Sequence, residues 1–204
     1  MREYHKQIDK RMFDFSDFYA RVAREMPQDA TIAEVGIADG ASVIFLAETL
    51  LNLGKRFKLY AIDDMSYGHE KQLRTVMQHI GRAGLGADIE LVPVSSAEAT
   101  CRFPDLHFDF VFIDASHQYE PTKTDIIMWY RKLKEGGYLA GHDYNSLEGL
   151  GVKQAVDELI PKKYIRTDVS HDQSNRRALE TYPTANGCNV WAVRKKFFLR
   201  IPQC

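Results

Sequence analysis

Cysteine is scarce in this sequence: Cys101, Cys188 and Cys204 are the three present in 204 residues, and no CxxC pair occurs. An odd count without that spacing excludes a disulfide framework or a structural zinc site, and it predicts reduced thiols in a cytoplasmic protein. Long apolar runs are also missing. No stretch reaches the roughly 20 residues of a membrane-spanning helix, and the opening MREYHKQIDKR is too polar for a secretory signal. Neither sign of charge dominates. Lysine and arginine number 27 against 28 acids, a formal net charge of −1, which argues against a broad nucleic-acid-binding face. Repeats and low-complexity tracts are absent. What remains is 45% hydrophobic and 27% charged, the composition of one globular domain, read here as residues 1–204.

That composition is arranged in alternation. Short apolar runs predict strands at 31–35, 57–62, 89–94, 108–113, 137–141, 164–169 and 188–193. Helical spacing predicts helices over 41–53, 69–82, 120–134 and 151–160. Such a sequence of elements implies βαβ units and an α/β fold, with a mainly parallel sheet between helices. The last connection is different. Residues 170–187 are polar and lack helical spacing, so strand 188–193 is expected to be antiparallel. The same stretch, with His171, Arg176, Arg177 and Tyr182, is expected to form a lid loop over the site. Ahead of the sheet, Met12, Phe15, Tyr19, Val22 and Met26 recur at three- and four-residue intervals. They predict an amphipathic helix, within a helical cap over 1–27, that covers the sheet.

Ligands in open α/β sheets bind beyond the carboxyl ends of the strands. Polar residues gather at those ends here: Glu34 to Gly40, Asp63 and Asp64, Ser95 and Ser96, Asp114 to His117, and His142 with Asp143. The first group is a turn, Glu34-Val35-Gly36-Ile37-Ala38-Asp39-Gly40-Ala41-Ser42, whose small residues let backbone approach a ligand. The helix that follows offers its N-terminal N–H groups to an anionic group. Asp63, ending the second strand, is placed to accept hydrogen bonds from ribose hydroxyls. The spacing of the turn disfavours a dinucleotide, which wants glycine at positions 1, 3 and 6, where this chain has Gly36, Ala38 and Ala41. A Gly-Lys-Ser/Thr phosphate loop is absent.

The pattern E-x-G-x-A-x-G resembles the E/D-x-G-x-G-x-G turn of class I S-adenosylmethionine (SAM)-dependent methyltransferases. Two later motifs narrow the resemblance. Residues 113–120, IDASHQYE, are similar to an I-D-G-x-H-x-Y-E strand end, and 136–144, GGYLAGHDY, to G-G-x-x-x-x-H-D-Y. These mark the subgroup related to macrocin and sugar O-methyltransferases and to cephalosporin-hydroxylase-like proteins. Asp125, Trp129, Leu133 and Lys134 suit the helix between the motifs, and 151–156 resembles the segment that follows them. The chain departs from the pattern at Ala38 and Ala115, both in place of glycine.

The resemblance implies a Rossmann-like sheet of seven strands ordered 3-2-1-4-5-7-6, with the seventh antiparallel and helices on both faces. It implies SAM as cofactor, with Glu34, Gly36, Ala38, Gly40 and Ser42 against its methionine part. Asp63 would hold the ribose, Met65 would flank the adenine, and Ser95, Ser96 and Ala97 would meet the adenine edge. Asp114 would border both the cofactor and the chemistry.

Methyl transfer is an in-line displacement that needs an aligned acceptor and a base for its proton. His117, with an ordinary pKa near neutrality, suits that base. Asp114, His142 and Asp143 form a second set, which in related O-methyltransferases holds a divalent metal. Mg²⁺ prefers oxygen, whereas an imidazole and carboxylates also suit Mn²⁺ or Fe²⁺. Both readings stay open, with His142 as metal ligand or as acid–base group. The acceptor expected is a small-molecule, sugar or glycan hydroxyl, with no nucleic-acid or membrane partner. N-methylation, a cephalosporin-hydroxylase-like reaction and a non-catalytic SAM-binding module are the alternatives. An Asn/Asp-Pro-Pro-Tyr/Phe motif after the fourth strand is absent, which disfavours methylation of nucleic-acid amino groups.

Overall fold

In a computed structural model, which describes residues 1–8, 13–144, 150–160, 179–183 and 189–195, the chain lays down five parallel strands in turn. They are β1 (Ala30–Val35), β2 (Phe57–Ile62), β3 (Ile89–Val92), β4 (Phe108–Ile113) and β5 (Leu133–Gly141). Two more follow, β6 (Leu179–Pro183) and β7 (Asn189–Arg194), and the order across the sheet is β3-β2-β1-β4-β5-β7-β6. β7 runs antiparallel to both β5 and β6. The first five strands and β7 make a six-strand mixed frame, and β6 is added at its edge through β7 alone. From β1 the chain winds outwards through β2 to β3, then returns to place β4 on the other side of β1. The carboxyl ends of β1 and β4 therefore diverge into a crevice.

Burial on both faces explains the apolar run FDFVFI. Phe110 and Phe112 point into one apolar cluster, Val111 and Ile113 into the other, as strand alternation requires. The first cluster holds the inner faces of α1 (Ser16–Glu25), α2 (Ala41–Asn52) and α3 (His69–Ala83). The second holds those of α4 (Ser96–Arg102), α5 (Tyr119–Lys132) and α6 (Leu150–Leu159). No helix among the described residues is long and apolar enough to cross a membrane.

Three expectations are corrected. The strand that pairs with β7 is 179–183, inside the stretch expected to be a lid loop, and Tyr182 pairs with Val190 there. The rest of that stretch, including His171, Arg176 and Arg177, lies outside the described residues, as do the expected strand 164–169 and Met12. Helix α4 was not foreseen; it begins where Ser95 caps the N–H of Glu98 with its side chain. Leu133 and Lys134, expected to end a helix, instead open β5, because Leu133 adopts extended backbone and pairs with Phe108.

β1 and β4 meet most closely at Gly36. Its φ is +83°, its N–H donates to the Ile62 carbonyl at 2.8 Å, and the Asp114 N–H donates to Val35 at 2.7 Å. A Cβ at this position would lie 2.1 Å from the Asp114 carbonyl oxygen. Gly36→Ala should therefore lower the unfolding free energy by at least about 2 kcal/mol, from left-handed strain and overpacking together. Urea unfolding measures this, and an unchanged midpoint would mean that the turn does not close on β4.

Candidate active site

The carboxyl edge of the sheet carries two polar groups, one on each side of the β1/β4 crevice. On the β1 side the glycine-rich turn takes positive φ at Gly36, Ala38 and Gly40 (+83°, +43° and +82°). Ala38 thus adopts the conformation that glycine serves in the related pattern, at a modest steric cost. The turn delivers the chain to α2, whose N-cap, Gly40, leaves the first helical N–H groups without a side-chain cap. Asp63 fastens the turn. One carboxylate oxygen accepts from the Ile37 N–H at 3.0 Å, and the other from the Met65 N–H at 2.7 Å. Each oxygen keeps a further lone pair for a ligand hydroxyl.

Several residues expected to face a cofactor are engaged elsewhere. Glu34 is buried and turned towards α1: it accepts from the Tyr19 hydroxyl at 2.8 Å and from Ser42. Burial pushes its carboxyl up to about 8 despite those two donors, and the same burial holds the Tyr19 hydroxyl well above its ordinary range. Met65 packs into the apolar cluster under α2 and α3. Ser95 caps α4, and Ser96 donates to Asp125 at 2.5 Å while accepting from the Trp129 indole at 2.9 Å. Both serines thus tie α4 into the domain, Ser96 through α5. Of that trio only Ala97 is exposed without such a role.

On the β4/β5 side, the strand ends bring Asp114, His117, His142 and Asp143 together. Asp143 has φ +61°, a costly value for a non-glycine residue, and it aims the carboxylate inwards. One oxygen, Oδ2, lies 3.0 Å from His117 Nε2 and 3.2 Å from His142 Nδ1, so a single atom holds two imidazoles. His142 Nε2 lies 2.9 Å from Asp14 Oδ1, but the two are not aligned for a directed hydrogen bond, so charge holds the pair. The His117 loop is seated by helix α6: a Cβ on Gly151 would be 2.4 Å from the His117 carbonyl oxygen. Thr122 adds a hydrogen bond to the Ser116 carbonyl at 2.7 Å. Val152 and Trp191 line the same pocket as the cluster.

Charge sets the protonation of this group. Burial pushes Asp114 up to about 6, against the pull of His142. Burial also opposes charge on His142, but the Asp143 hydrogen bond and the Asp114, Asp143 and Asp14 charges outweigh it and raise the ring to about 9. Asp143 is held far below the usual carboxylate range: the two imidazoles overcome the effect of burial. His142 thus has a carboxylate beside each ring nitrogen, Asp14 at Nε2 and Asp143 at Nδ1. Of the expected metal set of Asp114, His142 and Asp143, His142 is the residue turned towards Asp14. The three groups whose donor atoms lie within 4.8 Å of one another are Asp114, His117 and Asp143. Two carboxylates and one imidazole fit a hard or borderline divalent cation.

Two residues that matter here were missed as site residues. Tyr19 was expected to cover the sheet and, with Phe15, to close one side of the cleft; its hydroxyl bond to Glu34 is invisible to a periodicity argument. Asp14 did carry a signal, as a lone acid between the buried aromatics Phe13 and Phe15.

Comparisons with known proteins bear on the family and the fold. A family model described as a methyltransferase domain matches residues 33–144. A curated relative, the uncharacterized protein R132 of Acanthamoeba polyphaga mimivirus, is 30% identical over 142 residues, covering 65% of this chain. The match spans 60% of that relative's length. Cofactor-bound Rv0187 from MTB superposes with a TM-score of 0.64 at 16% identity, over 89% of this chain and 80% of the other. An O-methyltransferase from Bacillus cereus in complex with SAH gives 0.61 at 18% identity, over 88% and 80%. rRNA methylases share the fold as well. At these identities the structural likeness speaks for the fold.

The buried Glu34 generates a pH test. Its folded pKa, about 8, lies above the ordinary 4.5, so the folded state retains a proton that the unfolded chain releases. Stability linked to that proton is full below about pH 4.5, declines as pH rises, and is gone above about 8. Glu34→Gln cannot ionise, so its stability relative to wild type should rise across this window by a few kcal/mol at most. Paired urea curves at pH 5 and 8.5 measure it; a constant difference would show that Glu34 is ionised throughout.

Proposed function

The chain belongs to the methyltransferase-domain family of SAM-dependent enzymes, and on that premise we propose that it methylates a hydroxyl of a small molecule, with sugars and secondary metabolites as the leading class. One observation carries this reading: Asp114, His117 and Asp143 converge in a single ligand sphere, and the backbone of Asp114 touches the glycine-rich turn at Gly36. The cofactor's sulfonium is thereby expected beside a group able to hold and deprotonate an acceptor. A net charge of −1 favours a small acceptor over RNA.

In the reaction, the acceptor oxygen attacks the methyl carbon, the carbon–sulfur bond breaks, and the hydroxyl proton must leave. His117 is the residue to receive it. Asp143 engages Nε2 and so fixes the ring, and Asp114 supplies a negative charge nearby. His142 Nδ1 lies 3.2 Å from the same Asp143 oxygen and helps to hold it. Asp63 and the turn hold the cofactor by its ribose and methionine ends. Alternatively, a divalent cation such as Mn²⁺ or Mg²⁺ would be held by Asp114, His117 and Asp143; it would then lower the pKa of a bound hydroxyl, with His117 serving as its ligand and not as the base.

The test is transfer of labelled methyl from SAM to a panel of catechols and nucleotide-linked sugars, with rRNA as the contrasting acceptor. Transfer to a small hydroxyl is expected. Asp63→Ala should weaken SAM binding by about 1.5–3 kcal/mol, since it removes charged hydrogen bonds and loosens both loops. His117→Ala should preserve SAM affinity and lower turnover by about 10²–10⁴-fold. Transfer to rRNA alone, or full turnover in His117→Ala, contradicts the proposal.

A further inference from the structure

Residues 14–19, which run into the first turn of α1, lie outside the matched methyltransferase region, yet they reach both halves of the site. Tyr19 bonds to Glu34 on the cofactor side. On the other side, Phe15 packs against the His142 ring, with centroids 5.1 Å apart, and against Phe112 at 4.7 Å. Asp14 sits between these contacts with its side chain only 10% exposed, 2.9 Å from His142 Nε2. The opposite nitrogen of that ring is 3.2 Å from Asp143 Oδ2, the oxygen that also faces His117 Nε2 at 3.0 Å. Asp14, His142, Asp143 and His117 thus form an unbroken chain of alternating acid and imidazole.

A buried acid is costly unless paired, and an imidazole held on both nitrogens cannot turn. His142 has the Asp14 carboxylate 2.9 Å from Nε2 and the Phe15 ring against its side, so its Nδ1 holds the Asp143 carboxylate in one orientation. We propose that Asp14 is a positioning residue of the transfer site: through His142 it fixes the Asp143 oxygen that His117 and any bound cation share. The role in transfer rests on the methyltransferase reading above; the positioning itself rests on the geometry of four side chains.

Imidazole nitrogen–proton NMR spectra of the full-length, chelator-treated protein test it, with the His117 and His142 rings assigned by single His→Gln variants. In Asp14→Asn the signals of both rings should move, because the shared oxygen is released. Asp14→Glu should restore them in part, and Asp17→Asn, an exposed acid on the same segment, should move neither. Direct Mn²⁺ binding, followed by electron paramagnetic resonance without acceptor, should weaken about 10-fold or more in Asp14→Asn, the usual effect of losing a support behind a metal ligand. SAM affinity by calorimetry should stay unchanged. A response confined to the His142 ring, with Mn²⁺ affinity intact, overturns the proposal and leaves Asp14 as a local counter-charge. If wild type binds neither SAM nor Mn²⁺, the functional reading fails, but the ring spectra still decide whether Asp14 positions Asp143. Should Asp14→Asn not fold, the Asp14→Glu spectra decide: identical His117 signals in that variant and wild type, with a shifted His142, count against it.

Discussion

The approach of Gly36 to the carbonyl of Asp114 is the constraint on which the site depends. No side chain fits between them, since even a Cβ would overlap the carbonyl oxygen. The first turn after β1 and the loop after β4 therefore share one boundary. The backbone of the glycine-rich turn and that of Asp114 are brought into contact by main-chain packing alone. Gly151 repeats the device beneath His117, where helix α6 supports the loop from below. Close backbone packing of this kind lets short polar side chains hold a geometry that longer ones would blur.

Around that boundary the protein buries an unusual amount of charge. Glu34, Asp114 and Asp125 are all pushed upwards by burial, to about 8, 6 and 6. They are managed differently. Glu34 and Asp125 accept from neutral hydroxyls, Glu34 joining β1 to α1 and Asp125 joining α5 to α4. Asp114 and Asp143 face imidazoles instead, so several titratable groups are poised against one another at the strand ends. Such opposed environments are what acid–base chemistry requires. The β1 side of the crevice, by contrast, is built from backbone N–H groups and one acid, Asp63.

Much of this was legible in the sequence. Alternating apolar runs marked the five parallel strands because burial on both faces needs them, and the glycine spacing separated the turn from dinucleotide and phosphate loops. Asp114, His117, His142 and Asp143 were legible as a group because they end adjacent strands. Their pairing was not. Whether His117 or His142 joins the two carboxylates depends on ring orientation, and the carboxylate beside His142 Nε2, Asp14, comes from a segment far earlier in the chain. The hydroxyls of Tyr19, Ser42 and Ser96 were likewise opaque, since periodicity reports burial and not what a buried oxygen touches. Strand β6 escaped notice because the residues 179–183 lie in a polar stretch and occupy an edge, where one neighbour suffices.

The account comes down to a division of the sheet's carboxyl edge into a cofactor half and a chemistry half. Co-crystallisation with S-adenosylhomocysteine and Mn²⁺, with anomalous data at the manganese edge, examines both at once. The ribose is expected on Asp63, the homocysteine along residues 36–42, and one anomalous peak among Asp114, His117 and Asp143. A nucleoside bound away from Asp63, or manganese held by His142 in place of His117, would contradict it.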